Sequence, residues 1–332
     1  MGSTRYIMSM GELSRKDNSL CYRKEGKNIY IPIENTKEIY CLNEISLNSK
    51  LLDFLAQNNI MVHFFNYYGG YSGTYYPKNQ YNSGKLLVKQ VEKYQEYRLP
   101  IARSFVKGIL INLAEVLYHY YKHDKKEVKD TIDWLRKKAI FRVEQVQTVP
   151  ELMAIEGEAW QKFYQDFKYF LPAEFVMNKR VKRPPDNPIN ALISFGNTLL
   201  YTKTISMIYR THLDQRISYL HEPSEGRFSL SLDISEAFKP VIVYKTIFDL
   251  VNNRKLQVEK HFDKRVNYCL LNEEGRKIFI EAFEKKMESV FVHQRLKRKV
   301  SYQTAIKLDC YKLIKTILEE QEFKPFSMKE GM

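Results

Sequence analysis

The chain is poor in cysteine: four in 332 residues, Cys21, Cys41, Cys269 and Cys310. None forms a Cys-x-x-Cys pair, and their spacing builds no dense framework. That argues against a disulfide scaffold and a structural zinc knuckle, and it fits a reducing compartment. Long apolar runs are also missing. Nothing approaches a membrane span, and the first residues lack the apolar core of a signal peptide. Three phosphate and nucleophile motifs are absent: Gly-x-x-x-x-Gly-Lys-Ser/Thr, Gly-x-Gly-x-x-Gly after a strand, and Gly-x-Ser-x-Gly. An ATP-driven motor, a dinucleotide oxidoreductase and a common serine hydrolase are therefore disfavoured. No internal repeat, heptad seam or low-complexity tract is present. The simplest expectation is a soluble, cytoplasmic protein with no membrane partner.

Acidic charge is in deficit. Lys and Arg total 53 against 39 Asp and Glu, a net charge of +14. Residues 1–85 hold 10 basic and 7 acidic side chains, and the remainder 43 and 32, so the second part carries most of the field. Such a surplus suits nucleic acid or anionic lipid as partner, and solubility accounts for part of it. A hydrophobic share of 44% is ample for a core.

The pattern predicts an α+β chain: a small β-sandwich-like domain over 1–76, a turn-rich linker over 77–85, and a larger all-α domain over 86–326. RYIM, SLCYRK, NIYIPI and IMVHFFNYY read as strands, with turns at Asp17-Asn18 and Glu25-Gly26-Lys27-Asn28. A helix is expected around 48–58, where Leu51, Leu52 and Leu55 share a face. Helical periodicity then runs from Gly84 onward, with segments near 124–147, 149–168, 188–219, 234–252, 273–296 and 301–322.

Within this basic chain a few acids and one histidine stand out. Tyr219 to Pro240, YLHEPSEGRFSLSLDISEAFKP, contains His221, Asp233 and Glu236. Far upstream, LMAIEGEAW places Glu156 directly before Gly157 in a predicted helix. A mid-helix glycine costs roughly 1 kcal/mol against alanine, so close approach of another backbone or of a substrate should offset it. Each residue also has a structural reading. His221 at the end of a long helix would complement its macrodipole. Asp233 and Glu236 could form a capping box, or SLSLD could deliver Asp233 to a pocket floor in an extended form. Taken together, three carboxylates and an imidazole are the oxygen and nitrogen donors a divalent cation takes. Basic side chains cluster at Lys179, Arg180, Lys182 and Arg183, ahead of the stiff Pro184-Pro185, and again at 295–299. A stiff basic loop suits phosphate contact.

The order of segments resembles the CRISPR-associated protein one family. RYIMSMGELSRKDNSL is similar to its opening strands, FFNYYGGYSGTYYPK to its aromatic-glycine turn, and SGKLLVKQVEKYQEYRLPIAR to the entry into its helical domain. LMAIEGEAW resembles its Glu-Gly motif, RPPDNPINALISFGNTLLY the loop and helix that follow, and YLHEPSEGRFSLSLDISEAFKP the motif bearing its histidine and acidic pair. Asn187, Asn197 and Trp160 depart from the common pattern.

The resemblance implies a metal-dependent DNA endonuclease and integrase. It would insert short DNA spacers into a CRISPR repeat array by 3′-OH attack on phosphodiesters. It implies Glu156, His221 and Glu236 as ligands of Mg²⁺ or Mn²⁺, with Asp233 a nearby carboxylate required for catalysis. DNA contacts are expected from Lys179, Arg180, Lys182, Arg183, Asn190 and Arg227. Implied partners are prespacer and repeat DNA, a second copy joined through the β domain, and a dimer of a small companion CRISPR-associated protein. A catalytically silent DNA-binding scaffold is the alternative in another class. A basic membrane-surface protein is disfavoured by the lack of a lipid-anchor motif or basic amphipathic helix.

Overall fold

The computed structural model describes residues 2–78, 81, 83–265, 268–293, 296–319 and 321–328. The chain divides into two compact units, residues 1–80 and 81–332. The linker expected over 77–85 falls partly on residues 79, 80 and 82, outside the described residues.

Among the described residues, unit 1 is built from eight strands and one helix. The strands are β1 (Ser3–Ile7), β2 (Gly11–Lys16), β3 (Ser19–Lys24), β4 (Lys27–Pro32), β5 (Thr36–Cys41), β6 (Ile45–Ser46), β7 (Met61–Phe65) and β8 (Tyr71–Tyr75), with α1 (Ser49–Gln57) between β6 and β7. They form two four-stranded sheets, ordered β1-β5-β7-β8 and β4-β3-β2-β6. β5 runs parallel to both β1 and β7, while β2, β3 and β4 form an antiparallel meander. The turns at Asp17 and at Glu25-Gly26 take positive φ, the conformation that two-residue hairpins require. One core binds the sheets: Ile7, Ile39 and Val62 from the first, Leu13, Leu20 and Tyr22 from the second, Leu51, Phe54 and Leu55 from α1. Asn48 caps α1 by accepting the Leu51 N–H, 2.9 Å away.

Unit 2 is mostly helical. Its helices are α2 (Gly84–Glu96), α3 (Arg98–Lys122), α4 (Lys129–Asp133), α5 (Ile140–Gln145), α6 (Val149–Gln165), α7 (Pro188–Tyr209), α8 (Ser229–Glu236), α9 (Lys245–Asn252), α10 (Val258–His261), α11 (Glu273–Glu288) and α12 (Tyr302–Glu319). π-helical stretches at Trp134–Ala139 and Pro240–Tyr244 join α4 to α5 and lead into α9. Pro240 brings no N–H to the helical ladder, which is where such a widening is accommodated.

The expected all-α architecture is corrected by two hairpins, β9 (Phe262–Arg265) with β10 (Tyr268–Leu271), and β11 (Val290–His293) with β12 (Arg298–Ser301). The helix expected over 273–296 stops at Glu288, and the β-branched alternation Val290-Phe291-Val292 takes the extended form instead. The helix expected over 188–219 ends at Tyr209. Beyond it the buried Gln90 amide captures Asp214, accepting its N–H at 2.7 Å and donating to its carbonyl at 3.1 Å. A helix cannot continue where a distant side chain takes both backbone groups.

Candidate active site

Glu156 lies on α6, whose start is fixed by a capping box between Thr148 and Glu151. It is half-buried. One turn further on, Trp160 donates its indole N–H to the Glu156 carboxylate. The Trp160 ring lies against Tyr164 and Tyr244, with centroids 5.7 and 5.2 Å away. Among the described residues, a Cβ at Gly157 would meet nothing within 4 Å apart from its chain neighbours and its own helix backbone. The backbone approach expected to explain this glycine is absent, and the space beside it is open.

Asp233 and Glu236 both lie inside α8 and face the same side, three residues apart. SLSLD is helical rather than extended, because Leu230 and Ile234 are both buried at helical spacing. Neither acid caps the helix; the Phe228 N–H at its start donates to the Tyr201 hydroxyl.

His221 is not at a helix terminus. It sits in the irregular segment 211–228, and Asp233 holds it there. Asp233 is completely buried. Its Oδ2 accepts the backbone N–H groups of Tyr219 and Leu220, at 2.7 and 2.9 Å. Its Oδ1 accepts the N–H of His221, and the His221 ring through Nδ1, both at 2.9 Å. Arg98 secures the same segment from α3, donating to the Tyr219 carbonyl at 2.8 Å and pairing with Glu222 at 2.7 Å.

With Nδ1 donating to Asp233, the lone pair of neutral His221 resides on Nε2. That atom lies 4.0 Å from Glu236 Oε1. Lys239 donates to the same Glu236 oxygen. Among the described residues, no three His, Cys, Asp or Glu side chains stand close enough to form a finished metal-ligand set. The four predicted residues do share one neighbourhood. Burial pushes the Glu156 carboxyl up to about 7, Glu236 adds to the rise, and Lys239 and His221 oppose it. Burial works against a charged His221, but the hydrogen bond and charge of Asp233, with Glu236, carry its pKa above the ordinary value.

The basic loop is equally organised. Arg180 donates to Asn190 Oδ1 at 3.0 Å and to Ser194 Oγ at 2.9 Å. Asn190 donates to the Lys179 carbonyl at 3.0 Å and to Asp186 at 2.8 Å. Asn190 is completely buried, and its amide oxygen holds the Arg180 guanidinium. Lys179, Lys182, Arg183 and Arg227 are exposed. Of the 295–299 cluster, Arg295 lies outside the described residues and Leu296 to Lys299 are exposed.

Sequence reading missed Lys239, Trp160 and the Tyr164–Tyr244 pair, whose hydroxyls are 2.7 Å apart. Burial raises both phenols, Tyr164 to about 12, and the pair lies within the fields of Arg180, Glu156 and Glu236. Lys239, three residues after Glu236, was the one of these with a readable signal.

Fold and site define an α+β protein whose helical unit seats an imidazole among carboxylates. The chain belongs to the CRISPR associated protein Cas1 family, whose profile matches residues 5–285. It is 44% identical to the CRISPR-associated endonuclease Cas1 2 of Thermodesulfovibrio yellowstonii, over 98% of this chain and 99% of that one. A solved CAS1 protein from Thermotoga maritima superposes with a TM-score of 0.85 at 39% identity, covering 97% of this chain and 99% of that one. A casposase solved bound to its integration product shares the fold, with a TM-score of 0.83 at 18% identity, over 99% and 94% of the two chains.

Proposed function

We propose that this chain is a divalent-metal-dependent DNA endonuclease and integrase of CRISPR spacer acquisition. It would join the 3′-OH ends of a short prespacer DNA to the ends of a repeat. The observation that carries the reading is the orientation of His221: Asp233 holds Nδ1, and Nε2 is presented toward Glu236 at 4.0 Å. Carboxylate–imidazole support of this kind fixes the tautomer and the ring of a metal-ligating histidine.

In donor chemistry the residues suit Mg²⁺ or Mn²⁺, although among the described residues they do not stand as a finished ligand set. Two carboxylates and one imidazole are a hard donor set with positions left for water or phosphate. The 4.0 Å between Nε2 and Oε1 is within the roughly 4.2 Å that two metal–ligand bonds can span. Lys239 supplies positive charge to Glu236 meanwhile. Glu156, His221 and Glu236 would hold the cation, which supplies electrostatic stabilisation to the attacking and leaving oxygens of a phosphodiester.

This chain's own groups do the rest. Asp233 keeps the 219–221 backbone and the imidazole in place. Lys179, Arg180, Lys182 and Arg183 bind backbone phosphates, with Asn190 and Ser194 fixing the Arg180 guanidinium, and Arg227 adds an exposed cation. The open flank at Gly157 gives DNA room to pass beside Glu156. The attacking group is a 3′-OH in integration and water in cleavage. A second copy, joined through unit 1, and a dimer of the small companion protein complete the assembly.

The test is strand transfer and cleavage by the purified chain in Mg²⁺ and Mn²⁺. Glu156→Ala and His221→Ala should each lower the rate by about 100-fold or more while DNA affinity stays near wild type. Wild-type rates in either variant would refute the site. Steeply salt-dependent DNA binding without cleavage in any divalent ion would favour the silent scaffold.

A further inference from the structure

One basic cluster has no part in the centre built around His221. It lies on the ribbon of β11 and β12, which pair antiparallel with Val290 opposite Ser301, Phe291 opposite Val300, Val292 opposite Lys299 and His293 opposite Arg298. Residues directly opposite share a face of the ribbon. The inner face is firmly seated. Val300 and His293 are buried, and the Phe291 ring lies 5.0 Å from that of Tyr302 and 5.6 Å from that of Phe326, centroid to centroid. The outer face is exposed: Val290 by 58%, Val292 by 52%, and Lys299 beside Val292. The turn adds Leu296, Lys297 and Arg298, all exposed. Lys297 takes a φ of +51°, a left-handed form that glycine or asparagine adopts at lower cost. Its N–H donates to the His293 carbonyl at 2.8 Å. No Asp or Glu occurs from residue 289 to 308. Among the described residues, no carboxylate pairs with Lys297, Arg298 or Lys299.

Charge on a free strand edge discourages pairing with other chains. That accounts for the cations but not for three exposed branched aliphatics among them. Valines beside lysines, with no acid nearby in sequence, suit a partner that is anionic at its rim and apolar within. A duplex groove has that character: phosphates line its edges, and sugars and thymine methyl groups lie inside. The major groove, about 12 Å wide, admits a two-stranded ribbon. An anionic bilayer has the same sign of charge, but segments that lie in it present aromatic anchors outward. Here Phe291 packs inward on Tyr302 and Phe326. We propose that the outer face of the β11–β12 ribbon is a DNA-docking surface, with Lys297, Arg298 and Lys299 on phosphates and Val290 and Val292 against the groove. For the identity of its partner this surface rests on the nuclease reading above.

The experiment is binding of a labelled duplex oligonucleotide by the full-length chain in EDTA, followed by fluorescence anisotropy across a salt series. Lys297→Gln, Arg298→Gln and Lys299→Gln together should weaken binding about tenfold at fixed salt and lower the slope of log K against log salt by about 2. Val290→Ser with Val292→Ser should weaken binding several-fold and leave the slope unchanged, since no phosphate contact is lost. Val292→p-benzoylphenylalanine should crosslink to the duplex on irradiation, and unlabelled duplex should suppress the adduct. All these side chains are exposed, so thermal midpoints should stay at the wild-type value. If the triple Gln variant keeps both affinity and slope, or if the photoprobe gives no DNA adduct while the chain binds DNA, the proposal is overturned. A lowered midpoint with unchanged affinity assigns the cations to the fold and overturns it too. So does binding to phosphatidylserine vesicles that the Gln substitutions abolish while DNA binding is unaffected. Docking through the ribbon by a chain that cuts no DNA in Mg²⁺ or Mn²⁺ would leave this surface standing and sink the nuclease reading; cleavage by a triple Gln variant of wild-type affinity would do the reverse.

Discussion

At the scale of single residues, Asp233 anchors the 219–221 segment. Its two oxygens take four hydrogen bonds, three of them from consecutive backbone N–H groups. Asp233→Asn turns an NH₂ toward those donors and leaves at least one buried group unsatisfied. The expected cost is about 1–3 kcal/mol in urea unfolding, together with weaker Mn²⁺ binding by calorimetry; an unchanged unfolding midpoint would contradict the anchoring role. Glu156 gives a pH signature. Its carboxyl is raised from 4.5 to about 7, so the fold favours its protonated form. Its contribution to stability is full below about pH 4.5 and is lost as pH rises through about 7. In metal-free buffer, the stability of Glu156→Gln relative to wild type should climb across that window and level off above it. Thermal denaturation of both proteins at pH 4.5, 6 and 8 measures it, and a difference constant with pH would contradict the raised value.

At the scale of elements, α6 and the 211–228 segment make the site. Gly157 weakens α6, and no protein atom occupies the space a Cβ would fill. Gly157→Ala should therefore stabilise the chain by up to about 1 kcal/mol and still slow DNA cleavage, since the methyl group enters the route proposed for the strand. A variant that is both stabler and fully active would show that DNA does not use that flank. The elements also show what a sequence can disclose. α1, the β3–β4 hairpin and α6 are legible because their signals are local: an Asn cap, a Glu-Gly turn, a Thr-x-x-Glu box. The path beyond α7 is not, because Gln90, from a distant part of the chain, holds the backbone of Asp214 outside any helix. The helical form of SLSLD is likewise hidden: alternation of Ser and Leu suggests a strand, and only the burial of Leu230 and Ile234 on one helical face selects the other form.

At the scale of the whole molecule, charge sets how the chain would meet the DNA proposed as its substrate. The surplus of +14 lies mostly beyond residue 85. DNA affinity should fall steeply with salt, each phosphate neutralised adding about 0.9 to the slope of log K against log salt on duplex. Lys182→Gln with Arg183→Gln should reduce that slope by about 2 without altering sequence preference. A slope that stays the same would place the DNA away from the 179–183 loop.

The residue types of the candidate site, their order along the chain, the basic surplus and the division into a strand-rich and a helix-rich part were all fixed by the sequence alone. They depend on side-chain chemistry and local periodicity, which one segment carries by itself. Tertiary structure decided which groups face one another. It tied His221 to Asp233, set Lys239 on Glu236, and buried Asn190 behind Arg180. Those pairings follow from how helices distant in sequence pack, because burial and charge act through space rather than along the chain.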